Sequence, residues 1–186
     1  MSGEVVLYVE GGSTNKARYA ELREGFRTFL AEGLKADDVS DEGLEIFLSG
    51  GGGEARQVFD VGRCDQPGNS HVLLIDSEGP VTEEPPEDEH LMVQCTESWF
   101  LADPNALHCF YGKQSPHPRS GRCVETVPKP AALVALRMVS EGSLQGGYSK
   151  HRHTAKLLRE IRPELVRARA PHCERLFQHL GRVLAA

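Results

Sequence analysis

The sequence lacks several signals that would place it in a familiar class. No apolar run approaches the roughly 20 residues that a membrane-spanning helix needs, and the opening residues, MSGEVVLYVEGG, show no secretory signal. The five cysteines include no Cys-x-x-Cys pair, which argues against a disulfide framework or a zinc site. We therefore expect a cytoplasmic protein that makes no membrane contact.

Two common catalytic motifs and an excess of basic residues are also absent. Without GxxxxGK[ST] or GxSxG, the chain has neither a P-loop nor a nucleophile elbow, and little in the sequence supports a cysteine- or histidine-dependent hydrolase. Lys and Arg number 21 against 27 Asp and Glu, a net charge of −6. This balance excludes a protein that coats nucleic acid through bulk positive charge, but it permits an enzyme with a local basic surface.

What the sequence does contain is a series of short apolar runs that alternate with amphipathic stretches. The pattern predicts strands over 4–9, 44–48, 71–75 and 91–95, and helices over 15–29, 54–64, 98–102 and 105–111. Strands that alternate with helices indicate a parallel α/β sheet. Beyond the predicted loop at 113–130, helices are predicted over 131–140, 153–161, 163–169 and 171–184. We expect one domain over 1–186, with an α/β core to residue 112 and a mainly helical part over 113–186.

Carboxylates follow two of the predicted strands. Glu10 ends the first strand ahead of Gly11 and Gly12, and Asp76 and Glu78 follow the third strand. Because ligands of parallel α/β sheets bind beyond the carboxyl ends of the strands, these acids are candidates for a shared Mg²⁺ or Mn²⁺ site. The alternative for each is an ordinary turn with a solvated carboxylate, and only their combination is specific.

Two further segments carry candidate chemistry. Glu97 follows the fourth predicted strand and would add an acid at the same edge, whereas Trp99 is better interpreted as core and Asp103 as a helix N-cap. The block Tyr148-Ser-Lys-His-Arg-His153 offers Lys150 and His153 as groups that contact a phosphate or stabilise developing charge. Its alternative is a solvated basic turn. Basic residues of the last helices would form an electropositive face or, more simply, a solvated one.

The chain resembles a bacterial family, domain-of-unknown-function family 4276, that is related to Toprim and OLD-type nucleases. The matching stretches are LYVEGGSTNKA from residue 7, LLIDSEGPV from 73, HLMVQCTESWFLADPNAL from 90, VPKPAAL from 127, GGYSKHRH from 146 and APHCERLF from 170. The resemblance implies a Toprim-like small parallel sheet flanked by helices, with Glu10, Asp76 and Glu78 matching the acids that hold Mg²⁺.

The implied activity is metal-dependent nuclease chemistry on DNA or RNA, with an ATPase protein partner in bacterial defence. Its catalytic residues would be Glu10, Asp76 and Glu78, with Lys150 or His153 stabilising the leaving group or the phosphate. The position of Glu97 adds it to the predicted catalytic residues. The chain departs from the implied pattern at two positions, because Thr14 stands where relatives carry an aspartate and the second acid of the pair is Glu78. These departures support an alternative, a catalytically degenerate module that binds a protein partner or a nucleotide.

Overall fold

The computed structural model describes residues 4–12, 15–112 and 123–186, and its centre is a four-stranded, all-parallel sheet in the order β2-β1-β3-β4. The predicted α/β class is confirmed. Strand β1 lies inside the sheet, where Val5 pairs with Leu44 on one side and with Ser70 on the other. A strand buried on both faces needs a continuous apolar run, which is what its sequence VVLYVE supplies. The strands are β1 (Val5–Glu10), β2 (Leu44–Ser49), β3 (Ser70–Asp76) and β4 (Glu89–Met92).

The two crossover helices cover opposite faces of the sheet. Helix α1 (Lys16–Ala36) joins β1 to β2 and belongs to the larger core, whereas α2 (Gly52–Asp65) joins β2 to β3 and packs on Tyr8 through Phe59. The chain therefore reverses its winding between β1 and β3. In open parallel sheets such a switch point leaves a crevice beyond the carboxyl ends of the two strands.

The remaining helices bury the α1 face of the sheet. Gly25 of α1 allows a close approach by α6, because a Cβ at this position would lie 2.7 Å from the Ala155 carbonyl oxygen. This contact brings the first turn of α6 to the carboxyl edge of the sheet, beside β1. The helices are α3 (Glu97–Phe100), α4 (Pro104–Tyr111), α5 (Lys129–Ser140), α6 (Lys150–Glu160), α7 (Pro163–Arg169) and α8 (Pro171–Leu184), with a 3-10 turn over Val124–Thr126.

The predicted fourth strand over 91–95 is wrong in its position, since β4 spans Glu89–Met92. The chain leaves the sheet because Gln94 adopts a left-handed backbone conformation, with φ of 61°, and its amide donates to the Ser77 hydroxyl. Val93 and Cys95 are buried nevertheless, which explains the strand-like apolar pattern.

For other predicted helices, the element is present and only its first or last residue differs from the prediction. Helix α1 continues seven residues beyond the predicted end at 29, and α6 begins at Lys150 instead of 153. Part of the predicted loop over 113–130 lies outside the described residues, and α5 begins inside its remainder. Within the described ranges, no helix combines the length and apolarity that a membrane crossing requires.

Candidate functional site

Three carboxylates converge at the switch point of the sheet. Glu10 is the last residue of β1, Asp76 is the last residue of β3, and Glu78 follows two residues later. One carboxylate oxygen from each lies within 4.8 Å of the others. We call these three residues the acidic cluster. The structure thus brings together the three acids that the sequence predicts as cation ligands.

Asp76 is the buried member of the cluster, with a side chain only 2% exposed. Its Oδ1 accepts hydrogen bonds from the Thr96 amide at 2.9 Å and the Thr96 hydroxyl at 3.1 Å. Burial raises the pKa of Asp76 to about 6; Glu10 and Glu97 add to the rise, whereas Lys150 and the Thr96 hydroxyl oppose it. The charged form of Asp76 therefore needs a nearby positive charge.

Glu10 is held against Asp76 by the backbone. Its Oε2 accepts the Asp76 amide hydrogen at 2.9 Å, so the carboxylate is aimed at the neighbouring strand end. The turn that follows needs glycine, because Gly11 has φ of 143° and its amide bonds to the Ser49 and Gly50 carbonyls. A Cβ at Gly52 would lie 3.0 Å from Glu10 Oε2, so this glycine of α2 leaves the room that the carboxylate occupies.

Glu78 is the exposed member, and it already has a counter-ion. Its left-handed backbone, with φ of 58°, turns the chain back towards the cluster. Both carboxylate oxygens accept hydrogen bonds from Lys129 Nζ at 2.6 Å. Lys129 begins α5 and was not among the predicted site residues, because only the tertiary fold brings it to Glu78.

Glu97 lies behind the cluster instead of within it. It is the first residue of α3, and its side chain is 1% exposed. Its Oε1 accepts the Tyr148 hydroxyl at 2.9 Å and lies 3.9 Å from Lys150 Nζ. Its Oε2 is buried and has no hydrogen-bond partner among the described residues. The predicted fourth acid and Asp76 therefore share Lys150 as a neighbour, but Glu97 is not one of the three converging carboxylates.

The basic block separates into two parts. Lys150 Nζ lies 3.6 Å from Asp76 Oδ2, so this residue belongs to the site. His153 is buried, and its Nδ1 accepts hydrogen bonds from the Tyr111 hydroxyl and the Ser149 amide at 3.1 and 3.3 Å. Burial lowers the pKa of His153, as do Arg152 and Lys156. No hydrogen bond or ion pair in the described part of the chain joins this neutral, packed ring to the acidic cluster.

A cleft of about 190 Å³ opens between α1 and α6, beside Glu10. Gly11 and Gly12 form one wall, and three basic side chains border it: Arg18, Lys150 and His151. Arg18 escaped the sequence prediction because it stands in no recognisable motif, whereas His151 lies in the predicted basic block but was not chosen as a candidate. A negatively charged group in this cleft would meet basic side chains on two helices and the carboxylates of Glu10 and Glu21.

Two basic residues of the last helices, for which an electropositive or a solvated face is predicted, have carboxylate partners within the fold. Arg162 binds the Asp103 carboxylate, and Arg167 forms ion pairs with Asp37 and Glu174. These partners fasten α7 and α8 to the rest of the fold.

The interpretation of Trp99 as core and of Asp103 as a helix cap is confirmed. Trp99 is fully buried and stacks on Phe29, and Asp103 Oδ1 accepts the Ala106 amide hydrogen at the start of α4. Thr14, which marked a departure from the family pattern, lies outside the described residues.

The donor set of the acidic cluster fits a hard divalent cation. Mg²⁺ and Mn²⁺ favour carboxylate oxygens together with water, and the three converging side chains offer carboxylate oxygens only. Two lysines lie at the cluster, and each pairs with one of its members: Lys129 with Glu78 and Lys150 with Asp76. Among the described residues, Glu10 has no ionic partner.

Comparison with known proteins identifies a family without identifying a reaction. The family model described as "Domain of unknown function (DUF4276)" matches residues 63–181, which is more than half of the chain. The matched segment includes Asp76, Glu78, Glu97, Lys129 and Lys150, and it begins after Glu10. No curated protein and no solved structure matches the chain. The chain therefore belongs to the DUF4276 family.

Proposed function

We propose that this protein is a divalent-cation-dependent phosphodiester hydrolase, a nuclease that acts on DNA or RNA. The observation that carries the proposal is the convergence of Glu10, Asp76 and Glu78 within 4.8 Å at the switch point of a parallel sheet. Carboxylates from two strand ends provide a place for a cation. The adjacent cleft, which Arg18, Lys150 and His151 border together with Glu21, provides a place for a phosphate. Mg²⁺ or Mn²⁺ is the proposed cofactor.

The chemistry divides between the cofactor and the chain. When bound, a divalent cation polarises a phosphate oxygen and makes a water molecule a better nucleophile at neutral pH. The chain supplies the carboxylates that hold the cation and the basic side chains that hold the substrate. The raised pKa of Asp76, about 6, supports this division, because a buried carboxylate beside other acids becomes favourable when a cation neutralises it.

The overall charge of −6 constrains how a nucleic acid would bind. The acidic cluster repels a bare phosphate, so binding must depend on the cation and on Arg18, Lys150 and His151 at the cleft. We therefore expect nucleic-acid binding that requires divalent cation and weakens steeply as salt rises. Binding that is insensitive to salt or to chelation would contradict this picture.

The Toprim relationship and the partner belong to the proposal as well. The resemblance of LYVEGG and LLIDSEG to the acidic motifs of Toprim nucleases supports the roles of Glu10, Asp76 and Glu78. On the same resemblance we propose an ATPase as the protein partner. An assay for cleavage should therefore include any ATPase encoded beside this chain.

A second candidate function is a catalytically inactive module that binds a protein partner or a nucleotide. The observation that favours it is the pair of internal counter-ions. Glu78 is bound by Lys129, and Asp76 lies within ion-pair distance of Lys150. Lysines that already pair with Glu78 and Asp76 reduce the negative charge that would attract a cation to the cluster.

Calorimetric titration with Mn²⁺ distinguishes the two functions. The nuclease proposal predicts binding by the wild-type protein and loss of binding in the Glu10→Gln and Asp76→Asn variants. Glu160→Gln is the matched control, because Glu160 is an exposed carboxylate on α6. Proteins that bind Mn²⁺ are then assayed on single- and double-stranded DNA and RNA. Absence of cation binding in the wild-type protein would reject the nuclease proposal and favour the inactive module.

A further inference from the structure

Lys150 lies between two buried carboxylates without forming a close hydrogen bond to either. Its Nζ is 3.6 Å from Asp76 Oδ2 and 3.9 Å from Glu97 Oε1, whereas a charge-assisted hydrogen bond usually measures about 2.7–2.9 Å. The Lys150 side chain is 49% exposed, and the two carboxylates are almost fully buried. The ammonium group therefore shares its single positive charge between the two acids and keeps part of its hydration.

The two carboxylates are held in different ways. Asp76 uses Oδ1 for both of its bonds from Thr96, and Lys150 is the cationic neighbour of its Oδ2. Glu97 is fixed by the Tyr148 hydroxyl. Burial and the Glu97 charge raise the pKa of Tyr148, so this hydroxyl remains a donor. Asp76 thus belongs to the acidic cluster and also attracts Lys150. Glu97 attracts Lys150 from a fixed position outside the cluster.

A divalent cation in the acidic cluster would compete with the ammonium group of Lys150 for Asp76. Both are attracted to the same buried carboxylate, and they repel each other strongly at the short distances of the cluster. Glu97 lies outside the cluster, so its attraction for the ammonium group persists when the cation binds. The exposed side of Lys150 faces the cleft that Arg18 and His151 also border.

Building on the proposed function, we propose that Lys150 is a tethered counter-ion of the cation site. Without a cation its ammonium group neutralises Asp76. When a divalent cation binds, the ammonium group leaves Asp76, stays attached to the Glu97 carboxylate, and faces a substrate phosphate in the cleft. Glu97 and Tyr148 are accordingly positioning residues, and the substrate phosphate binds better after the cation than before it.

Titration with Mn²⁺ alone tests the competition directly. Lys150→Met removes the competing charge, so we expect Mn²⁺ to bind at least about tenfold more tightly than to the wild-type protein. Two variants serve as controls. Lys150→Arg keeps the charge, and Lys156→Met removes a charge from an exposed position of the same helix, so each should stay within about twofold of the wild type.

The outcomes separate this inference from the proposed function. Wild-type binding with equal or weaker binding by Lys150→Met overturns the tethered counter-ion and leaves the proposed cation site standing. Absence of Mn²⁺ binding in both proteins overturns the proposed function, and this inference with it. Binding by Lys150→Met alone would mean that the lysine keeps the cation out of the wild-type site. This outcome overturns the proposed function and, with it, the cation-bound state of the tethered counter-ion.

A crystal structure with Mn²⁺ tests the tether. We expect the distance from Lys150 Nζ to Asp76 Oδ2 to lengthen beyond ion-pair range, while the distance to Glu97 Oε1 stays near its value of 3.9 Å. In a Tyr148→Phe variant, which keeps every charge but frees Glu97, the ammonium group should lose its fixed position. An ammonium group that stays on Asp76, or that leaves both carboxylates in the wild-type protein, would overturn the inference.

Discussion

Replacing Asp76 with asparagine should make the protein more stable at neutral pH in the absence of divalent cations. Asparagine keeps the Oδ1 acceptor that Thr96 uses, and it removes a charge that is buried beside Glu10 and Glu97. The cost is the attraction to Lys150, since an amide nitrogen would face the ammonium group.

The magnitude follows from the pKa of Asp76, which is raised from 3.8 to about 6. Each pH unit of difference between the folded and unfolded pKa corresponds to about 1.4 kcal/mol. Ionised Asp76 therefore lowers the free energy of unfolding by about 3 kcal/mol at neutral pH. Allowing for the unfavourable contact with Lys150, we expect Asp76→Asn to gain about 1–3 kcal/mol.

The sign of the pH dependence gives the sharper test. Because the folded pKa is the higher one, the destabilisation is fully present above pH 6 and disappears as the pH falls below 3.8. Urea denaturation in EDTA between pH 4 and pH 8 should therefore show a gain that shrinks towards low pH. In thermal melts a gain of 1–3 kcal/mol raises Tm by about 2–4 °C for each kcal/mol.

Two results would refute the reasoning about Asp76. One is an Asp76→Asn variant that is less stable than the wild type at pH 7.5 in EDTA. The other is a gain that stays constant down to pH 4. Asp60→Asn, at an exposed aspartate on α2, is the matched control and should change the free energy of unfolding by less than about 0.5 kcal/mol.

Two further variants test the surroundings of the site. Although burial raises the pKa of Asp103, its bonds to Arg162 and Ala106 lower it below the usual range; Asp103→Asn should therefore lose about 2 kcal/mol at pH 7. Urea denaturation should show this loss fading as the pH falls through the lowered pKa. Gly52→Ala places a Cβ 3.0 Å from Glu10 Oε2, so Mn²⁺ affinity should fall severalfold by calorimetry. Gly53→Ala, where a Cβ meets nothing within 4 Å, should leave that affinity unchanged.

The parts of the fold that could be predicted are those that depend on local sequence. Strands β1 and β3 are buried on both faces, so continuous apolar runs mark them, and glycines or acids end them. Residues 91–95 give the same apolar signal, but there the burial comes from helices after the chain has turned at Gln94. An apolar run in the sequence therefore shows that a segment is buried, but it does not show whether the segment is a strand of the sheet.

The acidic cluster was predictable because topology decides it. Parallel strands end at the same edge, and because β1 and β3 are neighbours in the sheet, the acids after them lie close together. Of the two lysine partners, Lys150 was a candidate from the block at 148–153, whereas Lys129 was not. Their pairing with Asp76 and Glu78 could not be predicted, because both lysines reach the edge through the packing of α5 and α6. His153 was grouped with Lys150 because the two are close in the sequence. In the fold its ring contacts Tyr111 of α4, and no hydrogen bond or ion pair in the described part of the chain joins it to the acidic cluster.

Glu10 should be the residue that decides whether the edge attracts a cation. In the segment that the family model matches, Glu78 is bound by Lys129, and Lys150 lies near both Asp76 and Glu97. Strand β1 adds Glu10, whose Oε2 accepts only a backbone amide hydrogen in the described part of the chain. Among the described residues, Glu10 forms no ion pair with a lysine, in contrast to Asp76 and Glu78.

The relative effects of two substitutions test this assignment. Glu10→Gln keeps an acceptor for the Asp76 amide and removes the unbalanced charge, so it should abolish Mn²⁺ binding at nearly wild-type stability. Glu78→Gln removes an acid but also frees Lys129, and it should weaken Mn²⁺ binding without abolishing it. A larger loss of Mn²⁺ affinity in Glu78→Gln than in Glu10→Gln would mean that the loop after β3, and not the end of β1, supplies the decisive charge.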